Sequence, residues 1–160
     1  MPERENSQPD AFSEREIVIS RVLDAPRSLV FDVWTDPIHV GEWYGPRGFT
    51  ITTHKMDVRP GGTWNFVMHG PEDVDYQNRI IFIEVDRPYR LVYSHAGEEG
   101  EPSQFQVTLT FEEHDGKTLL TMRSLFESAA DRDRVVEEHH AIEGGNQTLD
   151  RLQERLARMS

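Results

Sequence analysis

The sequence predicts an α+β fold: an antiparallel sheet of seven strands, covered on one face by a long C-terminal helix, with two short helices after the first strand. Three observations carry this expectation. From Gly48 to about Phe126 the hydrophobic period is two, interrupted only by turn residues. From Ser128 onward the period is helical. Six consecutive strands joined by short turns must pair mostly antiparallel, and their alternation leaves one face to be covered.

The elements follow in order. Residues 1–13 are polar, charged and proline-containing, which predicts a solvated tail before a domain spanning 14–160. "REIVISRVL" (Arg15 to Leu23) alternates and is β-branched, hence a strand. In "DAPRSLVFDVWTD", Asp24 is a candidate cap, Pro26 suits a first helical turn, and Leu29, Val30, Val33 and Trp34 recur at helical spacing. "DPIHVGEWYGP" repeats the pattern, with Asp36 as cap, Pro37 opening the helix and Gly45-Pro46 ending it. "FTITTHKMDV" is a strand, and "RPGG" (Arg59 to Gly62) is a turn. "TWNFVMHG" places Trp64, Phe66 and Met68 on one face. "YQNRIIFIEV" and "RLVYSHA" follow, joined at Asp86-Arg87-Pro88, and then a soft loop, "GEEGEPS". "FQVTLTFEE" sets Phe105, Val107, Leu109 and Phe111 on one face, Asp115-Gly116 is a hairpin turn, and "TLLTMRSLF" is the last strand. Ser128 and Asp131 are spaced like a capping box. Val135, Val136, His139, Ile142, Leu149, Leu152 and Leu156 then form one stripe, so a continuous or kinked helix is expected. Gly144 and Gly145 lie inside it, although each glycine costs a helix about 1 kcal/mol relative to alanine.

Composition narrows the function. The chain has 160 residues, 36% of them hydrophobic, enough for one core. A formal net charge of -12 sets it against phosphate backbones and anionic lipid surfaces, so neither nucleic acid nor membrane is an expected partner. The absence of cysteine removes disulfides and thiolate chemistry and fits a reducing cytoplasm. "MPERENSQPD" has no apolar core of a signal peptide, and no run is long and apolar enough for a membrane span. A cytoplasmic protein is expected. No phosphate loop and no nucleophile-elbow motif is visible.

Four motifs in order, "APRSLVFDVWTDPIHVGEWYGPRGF", "MDVRPGGTWNFVMHGP", "FIEVDRPYRLVYS" and "EGGNQTLDRL", resemble the family of heat-shock-protein-90 ATPase activator homologues. That family belongs to the START-like superfamily, alongside polyketide cyclases and Bet v-type allergens. The resemblance runs from about Arg15 to Leu156 and implies a helix-grip fold, in which a curved sheet wraps the C-terminal helix. It also implies an apolar cavity between sheet and helix, which takes up hydrophobic small molecules in many relatives. Many family members have tryptophan where this sequence has Gly145, so a large side chain is missing here.

The expected cavity residues follow from these readings. Trp34, Trp43 and Tyr44 come from the helical pair that closes one end; Trp43-Tyr44-Gly45-Pro46 is either a hinged lid or a packed corner. Trp64, Phe66, Met68, Phe105 and Met122 are bulky inward candidates, either ordinary core or cavity wall. Tyr76, Asn78, Tyr93 and His95 are polar groups able to meet a ligand, or else satisfied by backbone and water. Gly144 and Gly145 are expected to face the concave sheet and widen the cavity. His139 and Glu143 share a helix face but no third ligand is evident, so neither metal nor cofactor is expected. The leading expectation is a non-catalytic carrier or sensor of a hydrophobic or amphipathic small molecule, without catalytic residues. Two alternatives stand beside it. A cyclase- or dehydratase-type enzyme would draw on Tyr76, Tyr93, His95 and Asp57. A chaperone-associated interaction domain is disfavoured by the lack of the eukaryotic activator's extra N-terminal domain. The state expected in solution is a monomer or homodimer.

Overall fold

The structure is a computed structural model that describes residues 14–95 and 105–159. The predicted tail and the "GEEGEPS" loop lie outside the described residues, as do the side chains of Glu138 and His139. The seven strands are β1 (Glu16–Leu23), β2 (Thr50–Met56), β3 (Thr63–His69), β4 (Asp75–Asp86), β5 (Arg90–His95), β6 (Phe105–His114) and β7 (Lys117–Phe126). The helices are α1 (Arg27–Thr35), α2 (Pro37–Trp43), α3 (Ala129–His139) and α4 (Ala141–Met159).

One sheet holds all seven strands in the order β1-β7-β6-β5-β4-β3-β2, every pair antiparallel. The chain leaves β1 and crosses through α1 and α2 to the far edge. It then meanders back until β7 pairs with β1, from Glu16 opposite Leu125 to Leu23 opposite Thr118. Bulges at Thr53/Lys55 and Phe82/Glu84 break the ladder register; an extra residue bends its strand and increases local twist. The turn between β6 and β7 uses positive φ at both Asp115 and Gly116, the conformation that a two-residue hairpin requires.

Period-two patterning fixes the inward face. Val107, Leu109 and Phe111 of β6 are buried, as are Trp64 and Phe66 of β3, whereas Val18 and Val22 of β1 remain exposed on the outer face. Leu149, Leu152 and Leu156 of α4 are buried against this inward face. Arg21 of β1 anchors the same helix by an ion pair to Asp150 at 2.6 Å and a hydrogen bond to Asn146.

Two local expectations are corrected. Asp24 does not cap α1: Pro26 occupies the N-cap position and no side-chain hydrogen bond closes it. Asp36 does cap α2, accepting from the Ile38 amide, and Ser128 caps α3, accepting from the Asp131 amide. The C-terminal segment is two helices and not one. His140 takes a left-handed conformation (φ 51°, ψ 46°), its amide donates to Val135, and α4 starts afresh at Ala141. Ile142, expected in the buried stripe, is consequently 40% exposed. The break is not at the glycines: the Gly144 amide donates to the His140 carbonyl at 2.9 Å, within the first turn of α4.

Candidate functional site

Sheet and helix do not meet everywhere. Between them lies a cavity of about 290 Å³, bounded by the C-terminal ends of β5 and β7, the N-terminal end of β6, the start of α4 and the turn after α2. Its wall is mostly apolar: Ile17 and Ile19 from β1, Met68 from β3, Met122 and Phe126 from β7. None of the lining residues carries a formal charge at neutral pH when its histidine is unprotonated.

The polar atoms are few. Tyr93 of β5 and Tyr44 from the turn after α2 place their hydroxyls within hydrogen-bonding reach of each other. Burial pushes the Tyr93 hydroxyl well above its ordinary pKa, with the Tyr44 hydroxyl adding to the effect. Burial also raises Tyr44, against an opposing contribution from the Tyr93 hydroxyl. Thr148 donates to the Gly144 carbonyl at 2.9 Å and is satisfied within its helix. His95 is different. Its ring stacks on Phe105 at 4.9 Å and 7°, and its Nδ1 is buried with no hydrogen-bond partner. Burial lowers its pKa to about 4 from an ordinary 6.5, so the ring is neutral at physiological pH.

The turn that closes the cavity is held from α4. Arg151 Nη1 lies 2.9, 3.0 and 3.2 Å from the carbonyl oxygens of Gly45, Pro46 and Phe49. Gln147 accepts from the Arg47 amide, and Arg47 pairs with Glu154. Gly45 has φ +100°, a conformation that residues with a side chain rarely adopt, and a Cβ there would also lie 2.6 Å from the Met68 methyl. Tyr44 packs edge-on against Trp43, Trp64 and Phe66 at 5.6, 5.1 and 5.9 Å. Trp43-Tyr44-Gly45-Pro46 is therefore a packed corner and not a hinge.

Of the residues expected at the cavity, Tyr44, Met68, Tyr93, His95, Phe105, Met122 and Gly145 line it. Trp34, Trp43, Trp64 and Phe66 lie beside it as solid core. Trp64 stacks on Phe66 at 3.9 Å, Trp34 meets Trp43 edge-on at 4.8 Å, and the Trp43 indole donates to the Val33 carbonyl. Tyr76 is 49% exposed and packs on Phe49, beyond the cavity. The Asn78 side chain donates to the Tyr76 carbonyl and does not reach the cavity. Asp57 is occupied by Arg59. The glycine pair divides: a Cβ on Gly145 would stand 2.6 Å from Ile19 Cδ1 and 3.5 Å from the Met122 methyl, whereas one on Gly144 would meet only Pro46.

The model for the family described as "Activator of Hsp90 ATPase homolog 1-like protein" matches residues 24–157. The chain belongs to this family. Solved structures agree with it. A Nitrosomonas europaea protein superposes with a TM-score of 0.83 at 26% identity, covering 92% of this chain and 97% of its own. A Mycobacterium smegmatis protein gives 0.82 at 25% identity, covering 93% and 95%. A Rhodobacter sphaeroides protein gives 0.81 at 26%, covering 93% and 96%. No curated protein matches the sequence. The helix-grip fold expected of the activator-homologue family is the fold observed, and its START-like architecture is consistent with a ligand-binding domain. No helix among the described residues is long and apolar enough to cross a membrane.

Two features of the cavity escaped the sequence reading. Ile17, Ile19 and Phe126 line the cavity, and strict alternation along β1 and β7 was the available signal. Arg151 carried none, because its partners are backbone carbonyls more than a hundred residues away. The structure also assembles Thr52, His69 and Asp75 by contacts of 2.7 and 2.8 Å, but on exposed side chains and outside the cavity. Among the described residues no cluster of three or more His, Asp or Glu can hold a metal ion. The side chain of His139, whose pairing with Glu143 was not expected to bind a metal, lies outside the described side chains.

Proposed function

We propose that this protein encloses a hydrophobic or amphipathic small molecule between sheet and helix and does so without catalysing a reaction, as a carrier or sensor. The observation that carries this reading is the cavity of about 290 Å³ with an apolar wall and an uncharged lining. Ligand sites of small molecules are concave, mostly apolar and supplied with a few placed polar groups, and this one stands at the small end of their usual range. A binding role is favoured over proton-transfer chemistry by the titration of the same groups. A general acid or base works best with a pKa near the operating pH. Here burial takes His95 down to about 4 and moves both tyrosines up, away from that range. No carboxylate or cationic side chain joins them in the cavity wall.

Met68 and Met122 give direct reporters, because both line the cavity. With the methionine methyls labelled with carbon-13, titration with small apolar aromatic compounds should shift the Met68 and Met122 resonances in a saturable way. Gly145→Trp should abolish those shifts while leaving a cooperative unfolding transition, since Ile19 must turn aside and the indole then enters the cavity. Saturable binding undiminished in the tryptophan variant would place the ligand elsewhere and defeat this reading.

A further inference from the structure

Building on the binding role above, we propose that the ligand is an uncharged, largely apolar carbonyl compound, a ketone or an ester, and that its carbonyl oxygen accepts a hydrogen bond from the Tyr44–Tyr93 hydroxyl pair.

Two elements bring the pair to the cavity. Tyr93 rises from the inward face of the sheet between its register partners, Phe82 of β4 and Val107 of β6. Tyr44 reaches it from the turn after α2, and both residues line the cavity. The Tyr44 ring is met edge-on by Trp34, Trp43, Trp64 and Phe66 at 6.3, 5.6, 5.1 and 5.9 Å. Those contacts occupy the body of the ring, yet Tyr44 is only half-buried. Its hydroxyl end is what remains to meet Tyr93 and the cavity.

The other polar side chains of the wall are less well placed. Thr148 is satisfied by the Gly144 carbonyl. Nδ1 of His95 is closed off from the cavity as well as unpartnered. The short Ser124 side chain stands between Ile17 and Val107, its register partners, whose longer side chains reach further from the sheet.

The chemistry of the pair selects the carbonyl. When two hydroxyls bond to each other, one O–H proton stays free whichever of them donates. A phenol is a strong donor and a poor acceptor, because its ring withdraws the oxygen lone pair. The matching ligand group is therefore an acceptor. A carbonyl accepts without adding a proton of its own; a ligand hydroxyl or amide N–H brings one that an apolar wall leaves unsatisfied. A carboxylate is disfavoured, since no cationic side chain lines the wall to offset its desolvation. Because the cavity is half-open, the length of the apolar remainder is not restricted.

The test compares 2-acetylnaphthalene with 2-isopropenylnaphthalene, in which a CH2 group replaces the carbonyl oxygen. Both are titrated through the Met68 and Met122 methyl resonances, into the unmodified protein and into the double variant Tyr44→Phe/Tyr93→Phe. The hydroxyls are removed together because either one, released from its partner, can donate by itself. The double variant keeps both rings and should unfold cooperatively. It should bind the ketone about 3- to 10-fold more weakly, the range of one net hydrogen bond, and the hydrocarbon within about twofold of the parent. In the unmodified protein the carbonyl stretching band of the bound ketone should lie below its position in hexane, a measurement that does not depend on any variant folding. A band at the hexane position overturns the carbonyl assignment and leaves the cavity-binding role intact. So does a ketone affinity that survives the double substitution, or one that is lost instead in Ser124→Ala or His95→Phe. Failure of both compounds to bind overturns both proposals.

Discussion

Arg151 of α4 ties down the turn that forms one side of the cavity. Its Nη1 carries two hydrogens and faces the carbonyls of Gly45, Pro46 and Phe49 at 2.9, 3.0 and 3.2 Å, with that of Tyr44 at 3.5 Å. Two strong bonds at a time are the most that this nitrogen can make. Hydrogen bonds to a charged group are worth about 1.5–3 kcal/mol each. The guanidinium is only partly buried, enough for desolvation to lower its pKa, so water recovers part of the loss. Arg151→Met keeps the aliphatic stem and should cost about 2 kcal/mol, which in a chain of this length lowers the melting temperature by about 4–8 °C. Arg151→Lys should cost about half as much, because one ammonium cannot span the same carbonyls. Denaturant unfolding measures both. Hydrogen exchange at the Phe49 amide, which donates to Pro46 within the turn, should accelerate in Arg151→Met. A methionine variant within about 0.5 kcal/mol of the parent, with unchanged exchange, would mean that aromatic packing around Tyr44 alone holds the corner, and the clamp would be refuted.

His95 should impose an acid sensitivity. Its folded pKa of about 4 lies below the ordinary 6.5, so between these values the unfolded chain binds the extra proton. Stability is therefore full above about pH 6.5, falls as the pH drops toward 4 and levels off below it, by at most about 3 kcal/mol. The difference in unfolding free energy between the parent and His95→Phe, followed from pH 7 to 4, should shrink or reverse over that window; a difference independent of pH would show that the ring is not buried neutral. Leu152→Ala removes a side chain buried on the packed half of α4 and should cost about 3 kcal/mol by denaturant unfolding. It should not weaken binding of small aromatics in the cavity, because Leu152 does not line it. Weakened binding in a folded Leu152→Ala protein would mean that the two halves of the core are not independent.

Much of this architecture was legible in the sequence because it rests on local rules. The alternation of Val107, Leu109 and Phe111 reappears as three buried side chains, and Asp115-Gly116 reappears as two positive φ angles. Long-range closure had no local signal: the pairing of Glu16 with Leu125 is set by the curvature of the whole sheet. His140 misled for a different reason. Histidine tolerates the left-handed region better than most residues, but it announces no helix end as glycine or proline would. Nor did the aromatic residues of the inward face reveal which of them pack solidly and which border a hollow. Trp64 and Phe66 on the one hand, Phe105 and His95 on the other, read alike in a period-two strand.

What separates the two groups is the helix opposite them. Along one face of α4 the residues at steps of three and four are Ala141, Gly145, Thr148, Leu152 and Leu156. Ala141, Gly145 and Thr148 are small, and Leu152 and Leu156 are large. The first three line the cavity, while the last two lie in the buried core outside it. A helix lying against a concave sheet must fill the intervening space with its own side chains. Where they are small the space stays open, and where they are leucines it closes. The cavity is thus placed by a size gradient on a single helix face, with Gly145 at its centre. The gradient also explains why the glycine is tolerated. Its helix-propensity penalty of about 1 kcal/mol falls near the start of a helix that Leu149, Leu152 and Leu156 already hold to the sheet. Reversing the gradient with Gly145→Trp should therefore remove the cavity and spare the fold.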